Sequence, residues 1–494
     1  MAMQSEKLRR AREYEAKELP RIKEDVLPGY HLCGGVGWIN DPNGFSLYRG
    51  EYHLFFQYHP YDRCWGPMHW GHVKTRDFIR WERLPCALSP DQEYDRKWGC
   101  FSGSALELRD GRHLLMYTGV RKETLPDGSV REKQAQCLAF GDGIDYEKYE
   151  GNPVIGAADL PEGGSEKDFR DPKIWMEDGG FCAVAGNRCP DGSGAVLLFE
   201  SRDALSWKLR CALDASGNRH GRMWECPDFF RLDGSSVLLV SPQEMRAEGL
   251  EFIEGNVTLC LIGAYDGGTD GLRREHTQTI DYGLDFYAPQ TVLTSDGRRV
   301  MIAWMQYWNS VDWHPEGLPF FGQMTVPREL RVRDGRLIQN PVRELDAYRG
   351  ACVRHRRVII DGTREFEGIR GRSLDMTVTV RPADSCREFR IVIAEGAGYE
   401  TGIRYDPGAH TIHLDRRKSG FPQNILNERT FAVREIRGGI KIRVLLDRYS
   451  MELFVNDGEQ AASVTLYTPM EADGICFYSD GAAEADIEKY SLEF

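Results

Sequence analysis

The sequence predicts an all-β chain of two domains, a five-bladed β-propeller over residues 30–340 and a β-sandwich over residues 350–494. Three observations point there. A Gly-containing turn leads into a short apolar run five times, at Gly50, Gly111, Gly179-Gly180, Gly234 and Gly297, with spacings of 61, 68, 55 and 63 residues. Apolar runs between such turns read as strands, and a repeat of this length holds four strands with long outer loops. Next, Thr75-Arg76-Asp77-Phe78-Ile79-Arg80-Trp81 and Ser201-Arg202-Asp203-Ala204-Leu205-Ser206-Trp207 share one form 126 residues apart, close to two repeat lengths. Each Asp is expected to cap a turn and each Trp to pack between blades. Finally, segments such as Met376–Val380, Phe389–Ile393 and Ile440–Leu446 alternate, with turns at Asn456-Asp457-Gly458 and Ser479-Asp480-Gly481. That is the pattern of two packed antiparallel sheets.

In chain order, residues 1–29 form a charged extension whose segment 4–20 reads as a helix stopped by Pro20. Five copies of the repeat then close a ring around a central funnel. Residues 341–349, Pro-Val-Arg-Glu-Leu-Asp-Ala-Tyr-Arg, read as a short helical linker to the sandwich, which carries no cluster of titratable groups with the look of a site.

Composition excludes several classes of function. The formal net charge is −13 over 494 residues, which argues against a nucleic-acid backbone or an anionic membrane as partner. The Lys-, Arg- and Glu-rich N-terminus lacks the apolar core of a secretory signal, and no later stretch is apolar and long enough to span a bilayer. Thirteen cysteines without a Cys-x-x-Cys pair fit reduced thiols in a cytoplasm. His69 and His72 lack a second ligand pair, so neither a zinc site nor any other metal or cofactor is expected.

The chemistry lies in three acid-bearing segments, Trp38-Ile39-Asn40-Asp41-Pro42-Asn43-Gly44, Phe169-Arg170-Asp171-Pro172-Lys173 and Glu225-Cys226-Pro227-Asp228. Asp41, Asp171 and Glu225 precede their turn glycines by nine, eight and nine residues, so they hold equivalent positions in different blades and converge on the axis. Acids in a funnel without Cys or His suit a hard cation or glycoside hydrolysis. Aromatic and amide side chains near blade starts, including Trp38, Gln57, Trp65, Phe101 and Trp304, favour a sugar. Asp228, beside Pro227, reads as a structural cap.

These segments resemble glycoside hydrolase family 32, the β-fructofuranosidases, over nearly the whole chain from Tyr30. Trp38 to Gly44 matches the family's nucleophile segment except for Ile39, where Met is usual. Phe55-Phe56-Gln57-Tyr58, Phe101-Ser102-Gly103-Ser104, Arg170-Asp171-Pro172, Glu225-Cys226-Pro227, Asp285-Phe286-Tyr287-Ala288 and Pro327-Arg328-Glu329-Leu330 follow in family order. The resemblance implies a five-bladed propeller and a sandwich. It also implies a retaining hydrolase that releases terminal β-D-fructofuranosyl units, with Asp41 as nucleophile, Glu225 as acid/base and Asp171 gripping ring hydroxyls. Arg170 would pair with hydroxyls or with the acids, Asn40, Gln57 and Ser102 would give neutral hydrogen bonds, and Trp65 and Trp304 would form walls. The expected substrate is a small sugar, sucrose 6-phosphate or sucrose, with Arg121, Lys122, Arg219 and His220 as candidate phosphate contacts that also fit solvated surface charge. A fructo-oligosaccharide fructosidase, a transfructosylase and a fructan-binding propeller without activity are the alternatives.

Overall fold

The structure, a computed structural model, describes residues 4–494. Five antiparallel sheets follow one another around an axis. Their innermost strands are Gly37–Tyr48, Gly99–Glu107, Phe169–Glu177, Met223–Leu232 and Tyr287–Leu293, and each pairs with the next strand in sequence. The five turn glycines make these first hairpins, with φ between +79° and +84°, a region open to glycine at no steric cost. At Arg49-Gly50, Asp178-Gly179 and Asp233-Gly234 both residues have positive φ, as two-residue hairpins that match strand twist require. The ring closes where Phe320-Phe321 runs parallel to Gly37-Trp38 of the first blade.

The two Ser/Thr-Arg-Asp motifs lie between the third and fourth strands of blades one and three. Asp77 Oδ1 accepts from the amides of Ile79 and Arg80, and Asp203 Oδ1 from those of Leu205 and Ser206. Between blades, apolar strand faces meet in continuous clusters, for example Val184, Leu198, Trp224, Leu238 and Val240 between the third and fourth. Each such side chain contributes about 1.5–3 kcal/mol on burial.

The N-terminal helix Glu6–Glu18 is capped by the Ser5 side chain and lays Leu8, Ala11 and Glu15 against the fourth strand of blade one. There Glu15 accepts from the Cys86 amide at 2.9 Å, and burial pushes its carboxyl up to about 7.

A 3-10 turn, Arg343–Tyr348, leads into the sandwich. The long last strand, Gly474–Leu492, belongs to both layers: residues 474–480 pair with strand Glu388–Gly396 and residues 483–491 with strand Leu374–Pro382. Between the layers lies a core that includes Met376, Phe389, Ile403, Leu414, Val444, Leu453 and Phe477.

Charged side chains without solvent join the domains. Arg328 pairs with Asp281 at 2.9 Å and with Glu452 of the sandwich at 2.5 Å. His31 lies between Asp447 at 2.8 Å and Glu452 at 2.9 Å. Burial alone would lower the His31 pKa, but the two carboxylates outweigh it and push it up to about 9. Asp285 accepts from the Thr465 amide at 2.8 Å and pairs with Arg416. Two family-like motifs, those holding Asp285 and Arg328, thus supply side chains to the domain boundary.

Candidate active site

Four of the five innermost strands carry a proline shortly after they begin, in Asp41-Pro42, Asp171-Pro172, Cys226-Pro227 and Ala288-Pro289. Proline cannot donate to the ladder. At those positions the pairing register slips, between Ile39 and Pro42, between Arg170 and Lys173, between Glu225 and Asp228, and between Tyr287 and Gln290. In blade two the slip falls between Phe101 and Gly103, where a Cβ on Gly103 would lie 2.0 Å from the Met116 carbonyl oxygen. Five bulges at equivalent places re-aim five side chains: Asp41, Ser102, Asp171, Glu225 and Tyr287. Asp171 and Cys226 have φ of +66° and +47°, strain of the sort that collects at functional sites.

The resulting cluster is tightly bonded. Ser102 Oγ donates to Asp41 Oδ2 at 2.6 Å, and Asn40 Nδ2 to Asp41 Oδ1 at 3.1 Å. The Cys226 amide donates to Asp171 Oδ2 at 3.0 Å, and the Cys226 thiol lies 3.5 Å from Asp41 Oδ2 and 3.6 Å from Asp171 Oδ2, tying the two acids together. Glu225 takes Arg170 Nε on Oε1 at 2.9 Å, and Gln243 Nε2 at 2.9 Å and the Tyr287 hydroxyl at 2.5 Å on Oε2. Burial pushes the Asp41 carboxyl above its ordinary range, with the Glu225 charge adding to the shift. Burial and then Glu225 push Asp171 in the same direction, against the pull of Arg170.

The other expected site residues divide into two groups. Asn40, Ser102 and Arg170 touch the acids. Trp65, at 37% exposure, stands edge-on to Phe101 at 6.1 Å and beside Trp98 at 5.3 Å, an open aromatic shelf. Trp304 corrects the expectation of a second wall: it is 0% exposed and packs against Trp38 and Trp308. Trp38 is buried on Phe321, and its ring N–H holds Asn40 Oδ1 at 2.7 Å. Gln57 is buried too and donates to the Cys100 carbonyl. All three are buried behind the acids; Gln57 and Trp304 lie on second strands, one strand out from the axis. His69 and His72 lie on opposite faces of one strand, held by the Pro67 carbonyl and by His53. Of the candidate phosphate contacts, Lys122 stands 4.3 Å over the Trp98 ring, while Arg219 is exposed and pairs with Glu248 and His220 packs on Phe252.

Below the acids runs a second ring with one side chain per blade: Asn43, Ser104, Lys173, Asp228 and Gln290, all under 9% exposed. Lys173 pairs with Asp228 at 3.0 Å, so Asp228 is part of a polar floor across two blades. Asn43, Ser104, Lys173 and Asp228 stand inside the quoted segments but without a role in the site, and Gln243 and Gln290 lie outside every quoted motif. Tyr287 stood in a quoted motif but without a role.

A family model for the glycosyl hydrolases family 32 N-terminal domain matches residues 31–341, and one for the family 32 C-terminal domain matches residues 344–493. The chain belongs to glycosyl hydrolase family 32. It is therefore a glycoside hydrolase. A raffinose invertase of Escherichia coli is 37% identical over 92% of both chains, and a sucrose-6-phosphate hydrolase of the same species is 32% identical over 97% of both. A solved β-fructofuranosidase of Bombyx mori superposes with a TM-score of 0.83 at 33% identity over 98% of each chain.

Proposed function

We propose that this chain is a retaining β-fructofuranosidase that hydrolyses sucrose 6-phosphate or sucrose. The observation that carries the reading is the convergence of Asp41, Asp171 and Glu225 on one end of the axis in a family 32 chain. An Asp41 oxygen attacks the anomeric carbon of the fructosyl unit while Glu225 gives its proton to the departing glycosidic oxygen. Glu225 then takes a proton from water, whose oxygen displaces Asp41 and frees fructose. Asp171 accepts hydrogen bonds from ring hydroxyls, and Arg170 orients Glu225 through a charge-assisted bond.

The relatives named for sucrose 6-phosphate and for raffinose leave the leaving group as the point to test. The shelf Phe101, Trp65 and Trp98 leads to Lys122, which lies over the Trp98 ring and 3.8 Å from Glu132; we assign it to a phosphate on the departing sugar. Thirteen unpaired cysteines fit a reducing compartment, which suits a phosphorylated substrate held inside a cell. The test compares kcat/KM for sucrose, sucrose 6-phosphate and a fructan trisaccharide at one ionic strength. A preference of roughly 10–100-fold for the phosphate, lost in Lys122→Ala, is expected from one charge-assisted contact. The trisaccharide as best substrate would make the enzyme a fructan hydrolase instead.

A further inference from the structure

Apart from the buried ion pairs, the sandwich meets the propeller at a second place, a segment of blade five near the acids. Residues 305–319 leave the strand Arg299–Trp304 and return at Phe320-Phe321. Their 3-10 turn, Trp308–Ser310, carries Trp308, whose ring lies 5.0 Å from Trp304, 6.2 Å from Trp38 and 6.3 Å from Tyr287. Two of those three side chains hold the catalytic acids. Trp38 donates to Asn40, which donates to Asp41, and Tyr287 donates to Glu225.

On either side of this turn the segment is gripped by the same sandwich residue. Gln306 Nε2 donates to the Tyr467 hydroxyl at 3.1 Å, and the Trp313 ring lies 5.4 Å from Tyr467 and 4.9 Å from Phe421. Tyr467 and Phe421 are fixed in turn. Their rings stand 5.0 Å apart, and the Tyr467 amide donates to the Ser419 carbonyl at 2.8 Å. Gly420, beside Phe421, comes so close that a Cβ there would lie 2.6 Å from the Tyr467 carbonyl oxygen. Within the segment, the Val311 amide donates to the Trp308 carbonyl and the Trp313 amide to the Ser310 carbonyl at 3.3 Å. Trp308 and Trp313 thus lie on one bonded stretch, and a shift of one carries the other. Blades four and one hold the remainder, through the Tyr307 hydroxyl on the Glu254 carbonyl and Arg63 on the carbonyls of Pro315 and Leu318.

We infer that Trp313, Tyr467 and Phe421 are positioning residues of the active site: through them the sandwich sets the place of Trp308 against the side chains that hold Asp41 and Glu225. The effect on catalysis rests on the fructosidase reading, whereas the contact does not. A misplacement of about 1 Å in groups that orient reactants can cost about 10²-fold in rate even when its cause is remote, so loosening this stretch reaches the chemistry at one remove.

Trp313→Ala and the conservative Trp313→Phe, in the full chain, test this. Trp313→Ala is expected to lower kcat/KM for sucrose at least about tenfold, with KM raised as well as kcat lowered, and Trp313→Phe should recover most of the loss. A change that only reduced the folded fraction would lower kcat and leave KM untouched. Tyr467→Phe, which keeps the ring and drops the Gln306 bond, should lose about 2–10-fold. Hydrogen exchange read by mass spectrometry needs no substrate and so separates this inference from the fructosidase reading. In Trp313→Ala the peptides covering residues 305–319 and Tyr287 should exchange faster, with those of blades two and three unchanged. A wild type inactive on sucrose would sink the fructosidase reading, and the exchange result would still decide the coupling. Unchanged exchange around Trp308 and Tyr287 overturns the inference. So does a Trp313→Ala enzyme with the original kinetic constants, or one that loses kcat alone with KM intact.

Discussion

Asp41 and Asp171 at the propeller axis are buried about as deeply as Asp447 and Glu452 at the boundary with the sandwich, yet their carboxyls move in opposite directions. The axial pair is pushed up and the boundary pair held down. Burial raises all four, so the difference lies in the company. Asp447 accepts from the His31 ring and from the amides of Gly29, Tyr30 and His31. Glu452 takes Arg328, His31 and the Val326 amide. At the axis three carboxylates crowd together, and the guanidinium among them, Arg170, bonds Glu225 and neither Asp. One region uses buried charge to join two domains. The other holds like charges close, at a cost in stability that the rest of the fold must offset.

This contrast predicts that substitutions in the two regions have opposite signatures. Asp41→Asn and Glu225→Gln should each lower kcat by at least about 10²–10⁴-fold, with melting temperature kept or raised in Asp41→Asn because like charge is removed, and lowered in Glu225→Gln because Arg170 loses its buried partner. For stability, Asp171→Asn should follow Asp41→Asn: an acid whose folded pKa is raised loses stability as pH climbs above its unfolded value, and the amide escapes that loss. A sharp drop in melting temperature for Asp41→Asn or Asp171→Asn would break the comparison.

At the boundary the order reverses. Glu452→Gln leaves Arg328 and His31 short of a buried counter-charge and should cost about 3–5 kcal/mol, with kcat/KM nearly unchanged below the melting transition. Denaturant unfolding alongside kinetics reads both. Full stability in that variant would remove the boundary side of the argument.

Tyr287→Phe sharpens the axial side. Loss of the 2.5 Å bond to Glu225 should lower kcat about tenfold, as one charge-assisted hydrogen bond warrants, and leave KM for sucrose close to its original value.

Stability against pH offers a finer test. His31 is raised from 6.5 to about 9, so its contribution is fully present below about pH 6.5 and fades as pH rises through 9. Melting temperature should decline across that window, and His31→Gln should flatten the decline. The smallest expected effect is that of chelation. Donors from Ser102, Asn40, Arg170, Gln243 and Tyr287 already occupy the carboxylate oxygens of Asp41 and Glu225, so activity should survive prolonged EDTA. Recovery by Ca²⁺ after a loss would assign the acids to a cation instead.

Much of the blade pattern was legible because turn glycines and apolar runs are local signals. The acids were legible because a count of eight or nine back from three turns reached a carboxylate. Counting back from the other two turns reaches Ser102, nine residues before Gly111, and Tyr287, ten before Gly297. Neither is charged, so nothing in the composition marked Tyr287 as a partner of Glu225. The misplacement of Trp304 as a wall has a positional cause: it ends the second strand of its blade, Arg299–Trp304, one strand out from the axis, and packs against Trp38 and Trp308, and strand order within a blade is not visible in composition. The roles of Asp285 and Arg328 were hidden for another reason. Their partners Arg416 and Glu452 lie more than a hundred residues away, and a single sequence carries no sign of that contact.

The central claim is that Asp41 forms a covalent fructosyl intermediate which Glu225 helps to make and to break. The most direct measurement uses Glu225→Gln with a fructoside bearing a good leaving group, quenched early and digested for peptide mass spectrometry. The first step then needs little acid help while the second lacks its base, so a fructosyl adduct should accumulate on the peptide that contains Asp41. An adduct on the peptide containing Asp171, or turnover without any adduct and with inverted configuration of the released fructose, would contradict the account.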